Sequence, residues 1–305
     1  VCRIARAMNQ APVSCIPAGK MSKAKKVLDE AREIQNPELD LADKSISTFE
    51  EMPGLRESTI SSWVDLQIFL HLFVTNCIFY LYCFLYTAVP PGLANLVNLE
   101  ILNLFNNHIT ELPISLSQMP KLRILNVGMN RLDVLPRGFG AFPVLEVLDL
   151  TYNNLSEKNL PGNFFMMETL RALYLADNDF EYLPPEIGQL KNLQILVLRE
   201  NDLVELPKEI GELTRLRELH IQGNRLTVLP PELGNLDLVS NKAVFRMEFN
   251  PWVIPIGDQL QVGISHVMDY IRSETYRYVY SRHQSAKGPP PPIENDKSKK
   301  ISRVR

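Results

Sequence analysis

The chain has 305 residues, 45% of them apolar and 22% charged, with a formal net charge of -3 at pH 7. That apolar share is ample for a buried core, and so mild a charge argues against nucleic acid as the main partner. All four cysteines (Cys2, Cys15, Cys77 and Cys83) lie in the first third of the chain.

Residues 1–20 lack an initiator Met and a continuous apolar core, so they do not read as a signal peptide. They are expected to be disordered read-through upstream of a start at Met21. The stretch 21–60 opens with a charged helix from Ser22 to Glu33. It continues into a degenerate first repeat at Leu39-Asp40-Leu41, with Lys44 where an Asn would stand.

Residues 61–86 depart from everything around them. From Leu66 to Val89 there are 24 residues without an acidic or basic side chain other than His71. That length and composition suit a membrane span, but a span there would cut a repeat array in two. Two other readings stand beside it, an intron-derived or alternative-exon segment and an unusual buried one. Counting back one period of 23 from Asn107 reaches Phe84, where the repeat requires Asn.

From residue 87 to 252 one phrase recurs, L-x-x-L-x-L-x-x-N-x-L. Its asparagines are Asn107, Asn130, Asn153, Asn178, Asn201 and Asn224, at steps of 23, 23, 25, 23 and 23 residues. This is the leucine-rich-repeat pattern. The alternating L-x-L places a short strand with one side inward. The Asn amide has donors and an acceptor for backbone groups of two adjacent coils. The second half of each repeat, as in Leu206-Pro207-Lys208-Glu209-Ile210-Gly211, places Pro at the first turn of a short helix. The expected fold is α/β: a leucine-rich-repeat solenoid with a curved parallel sheet on the concave side and short helical or 3-10 turns on the convex side. The 25-residue step adds a bulge within Ser156–Phe165.

The phrase ends at Phe245–Trp252, where Asn250 is retained and Pro251 closes the array. Residues 253–284 read as a helical C-terminal cap, with Val262, Val267, Tyr270, Ile271 and Tyr278 at helix-compatible spacing over 258–282. Residues 285–305, with Pro289 to Pro292 followed by five Lys or Arg residues, read as a disordered basic tail. Secreted proteins of this repeat class usually seal their ends with disulfides, and no cysteine lies in these repeats or their cap, which points to a reducing compartment.

No phosphate-binding loop, zinc spacing or nucleophile elbow occurs. No cofactor and no enzyme activity are expected. A repeat array displays its function on the concave sheet. The exposed x of L-x-L is Asn103, Asn126, Asp149, Tyr174, Val197 and His220. The next exposed row is Phe105, Gly128, Thr151, Ala176, Arg199 and Gln222, and beyond it come Asn106, Met129, Tyr152, Asp177, Glu200 and Gly223. From these rows the expected protein-binding residues are Asn103, Phe105, Asn126, Met129, Asp149, Thr151, Tyr152, Tyr174, Asp177, Arg199, Glu200, His220 and Gln222. Phe105, Met129, Tyr152 and Tyr174 are the anchors, because large apolar and aromatic groups dominate binding hot spots.

Three passages carry a more specific resemblance: Asn126-Val127-Gly128-Met129-Asn130-Arg131-Leu132, Leu145 to Ser156, and His220 to Pro231. With Ile271-Arg272-Ser273-Glu274-Thr275-Tyr276 and Lys297 to Arg303, they resemble the Ras-suppressor family of leucine-rich-repeat proteins over about four-fifths of the chain. The resemblance implies a cytoplasmic, non-catalytic scaffold at focal adhesions. Its implied partner is a LIM domain of PINCH, within the integrin-linked kinase–PINCH–parvin complex, with damping of Ras-linked signalling and contact with Ras-pathway proteins. Two alternatives remain at this level. One is a membrane-anchored leucine-rich-repeat receptor using residues 66–89, and the other is a scaffold that binds a Ras GTPase directly.

Overall fold

In a computed structural model of the chain, residues 38–40, 77–80, 87–89 and 91–286 are described. The expectations for residues 1–20, for most of 21–60 and 61–86, and for the tail beyond 286 lie outside them. Among the described residues, no helix is long and apolar enough to cross a membrane.

The chain divides into two compact units, residues 1–149 with 161–164, and residues 150–160 with 165–305. The first holds strands β1 (Glu38–Asp40), β2 (Cys77–Tyr80), β3 (Leu99–Asn103), β4 (Ile124–Asn126) and β5 (Val147–Asp149). The second holds β6 (Ala172–Tyr174), β7 (Ile195–Val197), β8 (Glu218–His220) and β9 (Val244–Arg246). Within each unit successive strands pair in parallel. Leu102, Leu125 and Leu148 stand opposite one another, as do Leu173, Leu196 and Leu219. These leucines are wholly buried. A one-residue slip would turn them to solvent, so the period of the sequence is the register of the sheet.

The apolar run holds one strand of this sheet. β2 pairs with β3 so that Phe79 faces Leu102 and Tyr80 faces Asn103, each one period of 23 residues back. A shift between Cys77 and Ile78 spoils the start of the register. β1 lies in the stretch read as a degenerate first repeat and pairs with β2 through Leu39 and Phe79.

Behind the strands, each coil returns through a 3-10 turn: Pro91–Asn95, Ile114–Gln118 and Phe139–Ala141 in the first unit, Pro185–Gln189, Lys208–Glu212 and Pro231–Asn235 in the second. Pro fixes the entry, and the N–H of the third residue goes back three residues, as from Ile187 to the Pro184 carbonyl (3.1 Å). Gly211 is required by packing, because a Cβ there would strike the Glu232 carbonyl of the next turn. In the 25-residue repeat the extra length forms a further turn at Glu157–Asn159. Phe164 then stacks on Phe139 with centroids 6.3 Å apart.

The Asn ladder joins one coil to the next. Asn201 donates Nδ2 to Leu198 of its own coil (2.9 Å) and to Leu175 of the previous one (2.9 Å), while its Oδ1 accepts the Phe180 N–H at 3.2 Å. Asn130, Asn178 and Asn224 repeat the arrangement, and all four are at most 5% exposed. Asn250 continues it, with its amide on Ile221 and Met247 and its oxygen on the Leu226 N–H.

The expected helical C-terminal cap is present. It comprises three helices, α1 (Ile254–Val262), α2 (Ile264–Arg272) and α3 (Glu274–Ser285). Gly263, at φ 148°, and Ser273, in extended backbone, separate them. These breaks reset the phase of the apolar pattern. Val267 and Ile271 are buried as expected, with Tyr270 part-buried, but Val262 (65% exposed) and Tyr278 (70%) face solvent. Tyr276 is the fully buried tyrosine instead. Its hydroxyl donates to the Leu229 carbonyl (2.5 Å) and accepts the Leu229 N–H (2.9 Å), and burial pushes its ionisation far upward against the opposing effect of the Leu229 bond. Arg272 adds a bond from Nε to the Gly234 carbonyl at 2.8 Å. Trp252 is only part-buried, its indole N–H on the Met247 carbonyl.

Two substitutions test this account. Asn178→Leu strands a buried N–H and two buried carbonyls, at about 1–3 kcal/mol each, so urea unfolding should show a loss of about 3 kcal/mol or more. Tyr276→Phe keeps the ring and removes both Leu229 bonds. It should cost about 2 kcal/mol and accelerate amide exchange at Leu229 in hydrogen-exchange measurements.

Candidate protein-binding face

The outward side of the sheet is shaped by two backbone features invisible in a simple in–out alternation. The first concerns Asn103 and Asn126 of the first unit. Both were expected on an exposed row, yet they are 1% and 2% exposed. Each folds its Oδ1 back onto a backbone N–H two residues on, that of Phe105 (3.0 Å) and of Gly128 (2.9 Å). A short amide closing a turn on its own backbone is what Asn does well. These two residues therefore build the strand exit and present little surface.

The second feature is a left-handed residue at the end of each strand turn. Asn106 and Met129 in the first unit, and Tyr152, Asp177, Glu200 and Phe249 in the second, have φ between 53° and 58°. Gly223 takes the same place at φ 69°. The conformation costs roughly 1–2 kcal/mol for a residue with a Cβ. It keeps the inter-coil bonds intact around the corner: the N–H groups of Tyr152, Asp177 and Glu200 reach Ala176, Arg199 and Gln222 at 2.9, 2.9 and 3.0 Å.

In the first unit, Phe105 and Met129 are part-buried, as is Asp149. The Phe105 ring lies over Gly128, where a Cβ would sit 3.1 Å from Cδ2. At the strand entrances Arg123 bridges Glu146 at 2.9 Å and Glu100 at 3.9 Å. That charged rim follows from one position of the repeat, two residues before each buried core leucine, and was not singled out in the sequence.

The second unit gathers eight of the expected residues on one surface. Tyr152 sits beside Asp177, and burial, then the Asp177 charge, hold its phenol above the usual tyrosine range. Asp177, expected on an exposed row, is buried at 5% and pairs with Arg199 at 3.3 Å. Tyr174, Val197 and His220 occupy equivalent places on β6, β7 and β8. Val197 is buried at 8% and Tyr174 and His220 are part-buried. Burial lowers the His220 pKa, and Arg246 and Arg199 lower it further against the opposing effect of Glu248, so its surroundings favour the neutral imidazole. Thr151, Glu200 and Gln222 complete the surface, all part-buried. Sequence reasoning missed two contributors at its far end, Arg246 and Phe249. Phe249 is 85% exposed, directly before the last ladder Asn, and its place one residue before Asn250 was the available signal.

Chemically this is a surface of part-buried aromatic, ionic and imidazole groups. Among the described residues there is no cluster of three or more His, Cys, Asp or Glu able to hold a metal ion.

Comparison with known proteins places these features. A leucine-rich repeat region model matches residues 138–241, and a leucine rich repeat model matches residues 97–155. Ras suppressor protein 1 of Homo sapiens is 66% identical over 284 residues, covering 93% of this chain and 97% of that protein. The proteins of the same name from Bos taurus and Mus musculus are 66% and 64% identical over the same shares. Among solved structures, a leucine-rich-repeat protein of Leptospira interrogans superposes with a TM-score of 0.51 at 25% identity, covering 77% of this chain and 71% of that one. With the repeat register, the Asn ladder and this level of identity along nearly the whole chain, the protein belongs to the Ras suppressor family of leucine-rich-repeat proteins.

Proposed function

We propose that the chain is a non-catalytic scaffold whose sheet face binds a LIM domain of PINCH, acting in cell–matrix adhesion and restraining Ras-linked signalling from the cytoplasmic side. The observation that carries this reading is the surface of the second unit. There Tyr152, Tyr174, Arg199 and His220 are part-buried and converge on neighbouring strand turns. Aromatic and Arg side chains held in place before binding lose little entropy on contact, which is how hot spots concentrate affinity. Asp177, paired with Arg199 and beside the Tyr152 hydroxyl, fixes two of these groups relative to each other. Strain adds support, since Tyr152, Asp177 and Glu200 hold side chains at a backbone conformation where Gly would be easier. Membership of the Ras suppressor family supports the link to Ras signalling, and the repeat array supports a role in protein–protein interaction.

Titration calorimetry of the full chain with the C-terminal LIM domain of PINCH tests the proposal. Tyr152→Ala and Tyr174→Ala should each weaken binding by at least about tenfold while leaving circular dichroism unchanged. Unaltered affinity in both, with a Ras-family GTPase bound instead, would overturn it.

A further inference from the structure

Cations are unevenly placed on the sheet of the second unit. His220 stands opposite Val197 on one side and Arg246 on the other. Arg199 follows Val197 by two residues, and so lies on the same side of its strand turn. Arg199 is already paired with Asp177. Arg246 is exposed and, among the described residues, makes no ion pair. The charged groups around His220 are Arg246 and Glu248 from the β9 coil, Arg199 from the β7 coil and Glu218 on its own strand. The two arginines outweigh Glu248 in their effect on the imidazole.

The same two strands carry cations at their other end. A groove of about 530 Å³ is lined there by Arg215, Arg217 and Lys242, with Asp237 as its acid. Arg215 is occupied by Asn192. Arg217 and Lys242 remain to face a ligand. Arg217 lies three residues before His220, about 10 Å along the strand, and its odd offset takes it off the outward side that Glu218 and His220 share. An extended segment laid along the outward side of β8 and β9 meets His220 and Arg246, with the exposed Phe249 alongside, and the cations of this groove stay at the strand entrances.

We propose that Arg199, His220 and Arg246 form a receptor for a carboxylate-bearing extended segment of a protein partner. The inference rests on the sheet face being the binding surface, and it names the chemistry that one end of that face recognises. A polyphosphate chain fits less well, because Asp177, Glu200, Glu218 and Glu248 interleave with the cations, and a continuous line of phosphates would pass over them. Separated carboxylates can avoid these acids, and apolar side chains between them can use Phe249. Binding a carboxylate beside His220 favours the imidazolium. The complex therefore tightens as pH falls through the histidine range, the opposite of what a purely apolar contact would show.

The test follows the His220 imidazole by NMR in the full chain at low salt, assigned with His220→Gln, using hexaglutamate as the acidic probe and hexaglutamine as its neutral counterpart. Hexaglutamate should move the His220 titration midpoint to higher pH, hexaglutamine should not, and Arg246→Glu should weaken hexaglutamate binding at least about fivefold. A midpoint that does not move, or moves equally with hexaglutamine, overturns the proposal. A stronger response to tripolyphosphate than to hexaglutamate overturns the choice of a carboxylate segment. If the LIM domain of PINCH fails to bind while hexaglutamate still moves His220, the named partner falls and the acidic receptor stands. If the LIM domain binds normally to Arg246→Glu and His220 ignores hexaglutamate, the receptor falls and the scaffold reading stands.

Discussion

The molecule depends on one repeated act of backbone satisfaction. A coil of 23 residues returns to its starting direction with carbonyls and N–H groups facing inward, where water cannot reach them. One buried Asn per coil satisfies three of these groups at once, two carbonyls and an N–H, shared between its own coil and the previous one. No other side chain of that size carries two donors and an acceptor in one plane, and this is why the residue recurs while its neighbours vary. The leucines stack because the Asn holds the coils in register, and the 3-10 turns pack behind them because the register leaves a fixed gap that Gly211 can fill.

The same corner links stability to surface. The residue before each Asn must turn left-handed so that the strand can end while its N–H still reaches the next coil. A face that would otherwise be a flat alternation thereby gains a rim of side chains aimed by the backbone itself. In the second unit that rim holds Tyr152, Asp177, Glu200 and Phe249, beside the Tyr174, Arg199 and His220 of the strand turns. Ion pairing and burial then tune this rim. Asp177 locks Arg199, and burial first, then the cations around it, disfavour the charged form of His220.

Most of the fold was legible before any coordinates. Period, strand register, ladder and 3-10 returns all follow from the spacing of Leu, Asn, Pro and Gly. The rest was hidden for local reasons. Asn103 and Asn126 look like exposed x positions until one asks what a short amide does at a strand exit. Tyr276, not Tyr278, is the buried tyrosine of the cap because Gly263 and Ser273 each break the phase of the helical spacing. The outward rows were readable as positions but not as depths, because part-burial of Tyr174 or His220 depends on the side chains of adjacent coils rather than on their own. In the apolar run, Phe79 and Tyr80 keep the period of 23 although their composition conceals it.

The hydroxyl of Tyr276 reaches back 47 residues to both backbone groups of Leu229. In a linear array whose coils touch only their neighbours, an end ordinarily frays one coil at a time. Here the last helix is clasped to a point upstream of the final strand, closing everything between into a loop. Peeling must begin by breaking that clasp, after which β9, the last 3-10 turn and the three helices lose their anchor together. This terminus should therefore open as one cooperative block, under heat or under mechanical tension, and resist proteolysis until it does.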